Sequence, residues 1–169
     1  MTVLVVVESH WGNTEQVARA IAGGVRDAGL PVVIKNVQDA PVSLADVELL
    51  IAGGPTHAFS LSRGSTRQSA GLQGGTAGSA ATGLREYLSA LGAAADDHPP
   101  VVTFDTRVRH FPGSAARAAV RIARRGGFPV DLEPESFWVD DTEGPLEDGE
   151  LDRARRWGRD LAGHVGPLG

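Results

Sequence analysis

The chain has 169 residues, 41% of them hydrophobic, with a formal net charge of −5 and no cysteine. That length buries one core beneath helices on both faces and is short for two ordinary domains, so residues 1–169 are expected to form a single domain. The acidic balance argues against nucleic-acid binding through a general cationic surface and against a polybasic membrane anchor, and the lack of cysteine excludes disulfides, thiolate zinc sites and cysteine-bound iron–sulfur clusters.

In chain order, Val3–Val7 reads as a first strand buried on both faces, with neither a basic leader nor an apolar run of membrane-spanning length before Glu8, Ser9 and His10. The expectation is a cytoplasmic protein with no membrane insertion. Val17, Ala20, Ile21, Val25 and Ala28 recur at helical spacing, and Val32–Val37 is the second strand despite Lys35 and Asn36. Asp39–Asp46 leaves room only for a turn or a degenerate helix before the third strand, Val47–Ala52. Residues 60–82, rich in Gly, Ser and Thr, read as a flexible loop, either a lid or a tether.

A second helix carries Leu84, Tyr87, Leu88 and Leu91, and Val101–Phe104 is the fourth strand. The third helix has Ala115, Ala119, Ile122 and Ala123 and is closed by Gly126 and Gly127. A fifth strand falls within Phe128–Asp140, interrupted by Pro134; the last helix carries Leu151, Ala154, Trp157 and Leu161, with Asp148 as its cap. Trp138 and Trp157 read as core residues. Strand and helix alternate, which predicts an α/β fold: a doubly wound, five-stranded parallel sheet with right-handed crossovers and helices on both faces.

In such sheets ligands sit beyond the carboxyl ends of the strands. After the first strand comes Ser9-His10-Trp11-Gly12-Asn13-Thr14, where Asn13 and Gln16 have the spacing of a capping box. Two hydroxyls, a glycine and the free amides of a helix start can hold a phosphate without a lysine, while a polar cap with no ligand has the same composition. A nucleotide-hydrolysing P-loop is excluded because the single lysine, Lys35, lies in a strand, and a dinucleotide fingerprint fails because only Gly12 is present of its three glycines.

Ser9, Gly12, Asn13 and Thr14, between a buried strand and an amphipathic helix, resemble the phosphate loop of the flavodoxin family, which binds flavin mononucleotide (FMN). Gly53-Gly54-Pro55-Thr56-His57-Ala58-Phe59 is similar to the family's second flavin loop, and the two stand at the separation that one crossover plus a strand requires. The resemblance implies strand order 2-1-3-4-5 and an FMN-binding electron-transfer protein. It implies a cofactor site drawn from Ser9, His10, Trp11, Gly12, Asn13 and Thr14, from Pro55, Thr56, His57, Ala58 and Phe59, and from a third loop with Asp105, Thr106, Arg107, Arg109 and His110. Its partners would be redox proteins, a reductase and an acceptor, or a small organic acceptor.

Two alternatives stay open: a small FMN-dependent reductase of quinone-like acceptors, and an interaction domain that has lost flavin. The third loop departs from the family, whose acidic, glycine-rich loop with a stacked tyrosine is replaced by Phe104-Asp105-Thr106-Arg107-Val108-Arg109-His110-Phe111. Its cations would favour an anionic reduced flavin and raise its potential, unless they pair with the acidic stretch from Asp131 to Asp152. Ten of the 21 acids lie in that stretch and six arginines lie between Arg107 and Arg125, a dipolar pattern that can orient a charged redox partner.

Overall fold

The computed structural model describes residues 1–9, 11–56, 61, 83–94 and 96–166. Five parallel strands, β1 (Thr2–Val7), β2 (Val32–Asn36), β3 (Val47–Pro55), β4 (Val101–Val108) and β5 (Glu135–Val139), pair in the order 2-1-3-4-5. Helices α1 (Asn13–Asp27) and α4 (Glu150–Ala162) cover one face, and α2 (Leu84–Ala94) and α3 (Ala115–Arg125) the other. Among the described residues no helix is long and apolar enough to cross a membrane.

β1, β3 and the start of β4 read as unbroken apolar runs because alternate residues feed two cores, whereas β2, at the sheet edge, has no buried residue. Val3, Val5, Val7, Leu49, Ile51, Val102, Phe104 and Phe137 pack beneath α1 and α4. Leu4, Val6, Leu50, Ala52 and Val101 pack beneath α2 and α3. The two helices of the first layer touch backbone to backbone: a Cβ on Gly24 would stand 1.9 Å from the Arg155 carbonyl oxygen, and one on Gly158 would stand 2.1 Å from that of Ile21. No larger residue fits at either crossing point.

Several boundaries differ from the sequence expectation. β3 runs on to Pro55 and β4 to Val108, because Gly53, Gly54 and Pro55 pair with Phe104, Asp105 and Thr106, and β5 pairs along the other side. Asp105, Thr106 and Arg107 therefore belong to a strand and not to a loop. β5 is confined to Glu135–Val139; Phe128 and Val130 are buried, but as part of the α2/α3 core. The connection after β2, which ends at Asn36, is a single 3-10 turn, Val37–Asp39, whose amide at Gln38 donates to the Asn36 side chain at 3.3 Å.

Two cap assignments are corrected. α4 starts on Gly149 in the left-handed region with no side-chain cap, so Asp148 does not cap it. α1 starts on Gly12, and the Asn13–Gln16 capping box does not form, because Asn13 already lies inside the helix. Of the loop expected at 60–82, only Leu61 is described, 3% exposed in the α2/α3 core; the rest of that expectation lies outside the described residues.

Candidate functional site

The carboxyl ends of β1, β3 and β4 converge on the start of α1. Gly12 adopts φ +84°, a left-handed conformation that strains any residue with a Cβ, and its amide donates to Ser9 Oγ at 3.1 Å. Among the described residues nothing lies within 4 Å of where a Gly12 Cβ would be. The first intrahelical bond runs from the Gln16 amide to the Gly12 carbonyl, so the amides of Asn13, Thr14 and Glu15 precede the ladder, and among the described residues no side chain caps them. The positive end of a 15-residue helix thus opens at the strand ends.

Asn13, freed from capping, donates from Nδ2 to the Glu143 carbonyl at 3.1 Å and rests against Gly144, joining α1 to the turn before α4. The Thr14 and Thr106 hydroxyls, both buried, hydrogen-bond each other at 2.7 Å. In such a pair one hydroxyl proton is shared and the other stays available to a further acceptor. Trp11, Pro55 and Thr56 are half-buried at the same edge. His10, His57, Ala58 and Phe59 lie outside the described residues.

Helices α2 and α3 begin differently. Glu8, 4% exposed, follows β1 and accepts the Leu84 amide on Oε1 at 2.8 Å, while Glu86 accepts the Gly83 amide at 3.1 Å. Asp105, fully buried on β4, accepts on Oδ2 from Ser114 Oγ at 2.6 Å, the Ala116 amide at 3.0 Å and Thr56 Oγ1 at 3.3 Å. Ser114 also accepts the Arg117 amide, and Thr56 Oγ1 accepts that of Ala115. Two buried carboxylates from strand ends therefore sit at the positive ends of α2 and α3, where charge-assisted bonds satisfy amides that the helices leave open. Asp105 Oδ1 accepts no hydrogen bond among the described residues; Arg107 Nε stands 3.9 Å away.

The cations of the third segment are held toward β5. Arg107 donates to Ser136 Oγ at 3.0 Å and to the Gly113 carbonyl at 2.9 Å. Arg109 Nε pairs with both oxygens of Glu147, at 3.0 and 2.9 Å, which is the pairing with the acidic stretch weighed as the alternative for these charges. Both guanidiniums lie over Trp138, 4.8 and 4.7 Å from its centroid, so this half-buried ring is a cation platform and not the core residue expected. Trp157 does pack as expected, edge-on to Phe104 and Phe137. His110 is exposed at φ +68°.

Glu150 fastens this edge to α4. Burial opposes its ionisation, yet hydrogen bonds from Arg153 and the Trp138 amide, with the field of Arg153 and Arg109, hold the carboxyl below the usual range. Sequence reasoning missed Glu8, Ser114, Trp138 and Glu147 as parts of this neighbourhood. Ser114 alone carried a signal, a hydroxyl one residue before an apolar helical run.

No known family profile matches the chain. Its structure is similar to that of a flavodoxin from the domain Archaea, with a TM-score of 0.72, 20% identity and coverage of 98% of this chain and 99% of that one. Flavodoxin 1 from Bacillus cereus gives a TM-score of 0.71 at 19% identity, covering 98% and 100%. The flavodiiron core of Flv1 from Synechocystis sp. PCC6803 gives 0.69 at 20% identity, covering 98% of this chain and 36% of that one. The chain has the flavodoxin-like fold. In sequence it is 40% identical over 75 residues to an NAD(P)H dehydrogenase (quinone) from Caulobacter vibrioides, a match spanning 32% of this chain and 38% of the relative.

Proposed function

We propose that the chain binds FMN without a covalent bond at the carboxyl ends of β1, β3 and β4 and passes electrons through it as a redox protein of flavodoxin type. The observation that carries this reading is the open start of α1, where the amides of Asn13, Thr14 and Glu15 have no side-chain cap among the described residues, beside the left-handed turn at Gly12. Hydroxyls of Ser9 and Thr14 stand at the same turn, which suits a phosphate held without a basic side chain. When bound, the isoalloxazine ring would supply the ability to take up and release electrons reversibly, which this chain cannot provide through a dithiol because it has no cysteine.

On this reading Ser9, Gly12, Asn13 and Thr14 hold the phosphate, and Trp11, Pro55, His57, Ala58 and Phe59 border the ring. Thr56 and Asp105 position the second loop, since the Thr56 hydroxyl is engaged by Asp105 and Ala115. Thr106 supports Thr14 from below, and Arg107, Arg109 and His110 form the outer edge. Electrons would be exchanged with redox partner proteins or with a small organic acceptor.

Titration of the purified chain with FMN, followed by quenching of flavin fluorescence, tests the proposal. A phosphate on the α1 amides makes riboflavin bind ~100-fold more weakly than FMN, the worth of about two charge-assisted hydrogen bonds after desolvation. Equal affinity for the two, or no binding of either, would refute it. The match to a quinone dehydrogenase favours a second reading, a small FMN-dependent reductase of quinone-like acceptors. Oxidation of NADPH by the FMN-loaded chain with benzoquinone, above the rate with free FMN, would support that reading over a carrier that docks on proteins.

A further inference from the structure

Helix α3 carries four arginines, Arg117, Arg121, Arg124 and Arg125, and no acid in its 11 residues. All four are exposed. At 100° per residue they fall within one ~100° arc of the helix surface and extend ~12 Å along its axis. We infer that this outer face of α3 is a docking surface for an acidic protein partner, whose carboxylates pair with the four guanidiniums.

Intramolecular electrostatics account for only part of the stripe. Arg124 and Arg125 stand in the last turn, where the helix dipole favours a cation, and Arg124 Nη2 donates to the Val130 carbonyl at 3.2 Å. Arg117 stands in the first turn, at the positive end, where a cation is unfavourable. Arg117 with Arg121 and Arg121 with Arg125 are like-charge pairs four residues apart, which repel. Among the described residues no carboxylate lies within ion-pair distance of any of the four. Of the acidic stretch that follows, Glu147 pairs with Arg109 and Glu135 and Glu150 pair with Arg153, while Asp131 and Glu133 lie beside the stripe outside ion-pair distance.

By contrast, the arginines of α4 are interleaved with acids, and Arg153, Arg155 and Arg159 all form ion pairs. The chain thus keeps a self-repelling cationic ridge on a molecule of net charge −5, an arrangement that an acidic surface relieves. Asp131 and Glu133 line the groove beside Arg117, Arg121 and Arg124. A continuous polyphosphate tracking the stripe would meet these two carboxylates and the acidic remainder of the molecule, whereas carboxylates set on a folded partner can be spaced to avoid them.

The position of the stripe gives the docking a purpose. The Ala115 amide bonds to Thr56 Oγ1, so α3 starts against the segment that follows β3, and Arg117 lies within one turn of that contact. A partner seated on the stripe is held beside the candidate site. This placement does not require flavin to be bound there.

The test is fluorescence anisotropy of labelled poly-L-glutamate titrated with the full chain at low salt, with and without FMN. The variant R117E/R121E puts an acid at the positive helix end, which favours folding, and is expected to weaken binding by at least about tenfold. R156E removes an exposed arginine on α4 and is expected to change binding by less than about twofold. Raising the salt concentration weakens the wild-type interaction. Failure of poly-L-glutamate to bind, an equal loss in R156E, or tighter binding of single-stranded oligo-dT through the same arginines would each overturn the inference.

Discussion

Asp105→Ala tests whether one buried carboxylate holds together the second loop and the start of α3. The change leaves the Ala116 amide without its acceptor at a buried helix terminus and removes the partner of the Ser114 and Thr56 hydroxyls. An unsatisfied buried donor costs 1–3 kcal/mol. The two hydroxyls can rotate toward other acceptors and lose less, so the sum comes to ~3 kcal/mol. For a chain of this size that lowers the melting temperature by roughly 6–12 °C. Asp105→Asn keeps one oxygen for the Ala116 amide and Ser114 and loses the charge that favours the positive helix end, for a cost of ~1 kcal/mol. Urea unfolding followed by circular dichroism at neutral pH gives the order wild type, Asn, Ala. A loss below 1 kcal/mol in the alanine variant, or an asparagine variant as unstable as the alanine one, would refute the assignment.

Three further outcomes are expected. Gly53→Ala places a Cβ 2.1 Å from Phe104 Cζ, and Phe104 is fully buried with Phe137 and Trp157 edge-on to it, so urea unfolding reads a loss of ~3 kcal/mol. Gly54→Ala meets only ordinary contacts at 3.6–3.8 Å and costs ~1 kcal/mol or less. Burial pushes the Tyr87 phenol up to about 12 from 10.0. The folded state then holds its proton where the unfolded state releases it, so this contribution to stability is whole below pH 10.0 and declines as pH rises toward about 12. Tyr87→Phe removes that alkaline decline in pH-dependent urea titrations and costs ~1 kcal/mol at neutral pH through the bond to the Pro41 carbonyl. A double-mutant cycle on Thr14→Val and Thr106→Val gives a coupling of ~1 kcal/mol, and additivity would show that their 2.7 Å contact contributes nothing.

The elements were legible wherever burial on both faces wrote an apolar run, as in Val3–Val7 and Val47–Ala52. They were cut short where buried residues are polar. Asp105, Thr106 and Arg107 read as a loop because a strand ending on a charged pair lacks the apolar signal, although each side chain finds a partner on the face it points to. The first loop was legible in its glycine and hydroxyls, but not in the role of Asn13, whose partner is the Glu143 carbonyl 130 residues away.

From its sequence alone the protein is an alternating α/β chain with a glycine turn opening its first helix, because hydrophobic period and local turn chemistry act between near neighbours. Folding alone decided which charges meet. Glu8 and Asp105 rest on the amides of helices that start later in the chain, Arg109 is matched by Glu147, and among the described residues the four arginines of α3 have no carboxylate within ion-pair distance. Electrostatic pairing acts over a few ångströms of space irrespective of distance along the chain, so it is settled only when the strands and helices have been laid side by side.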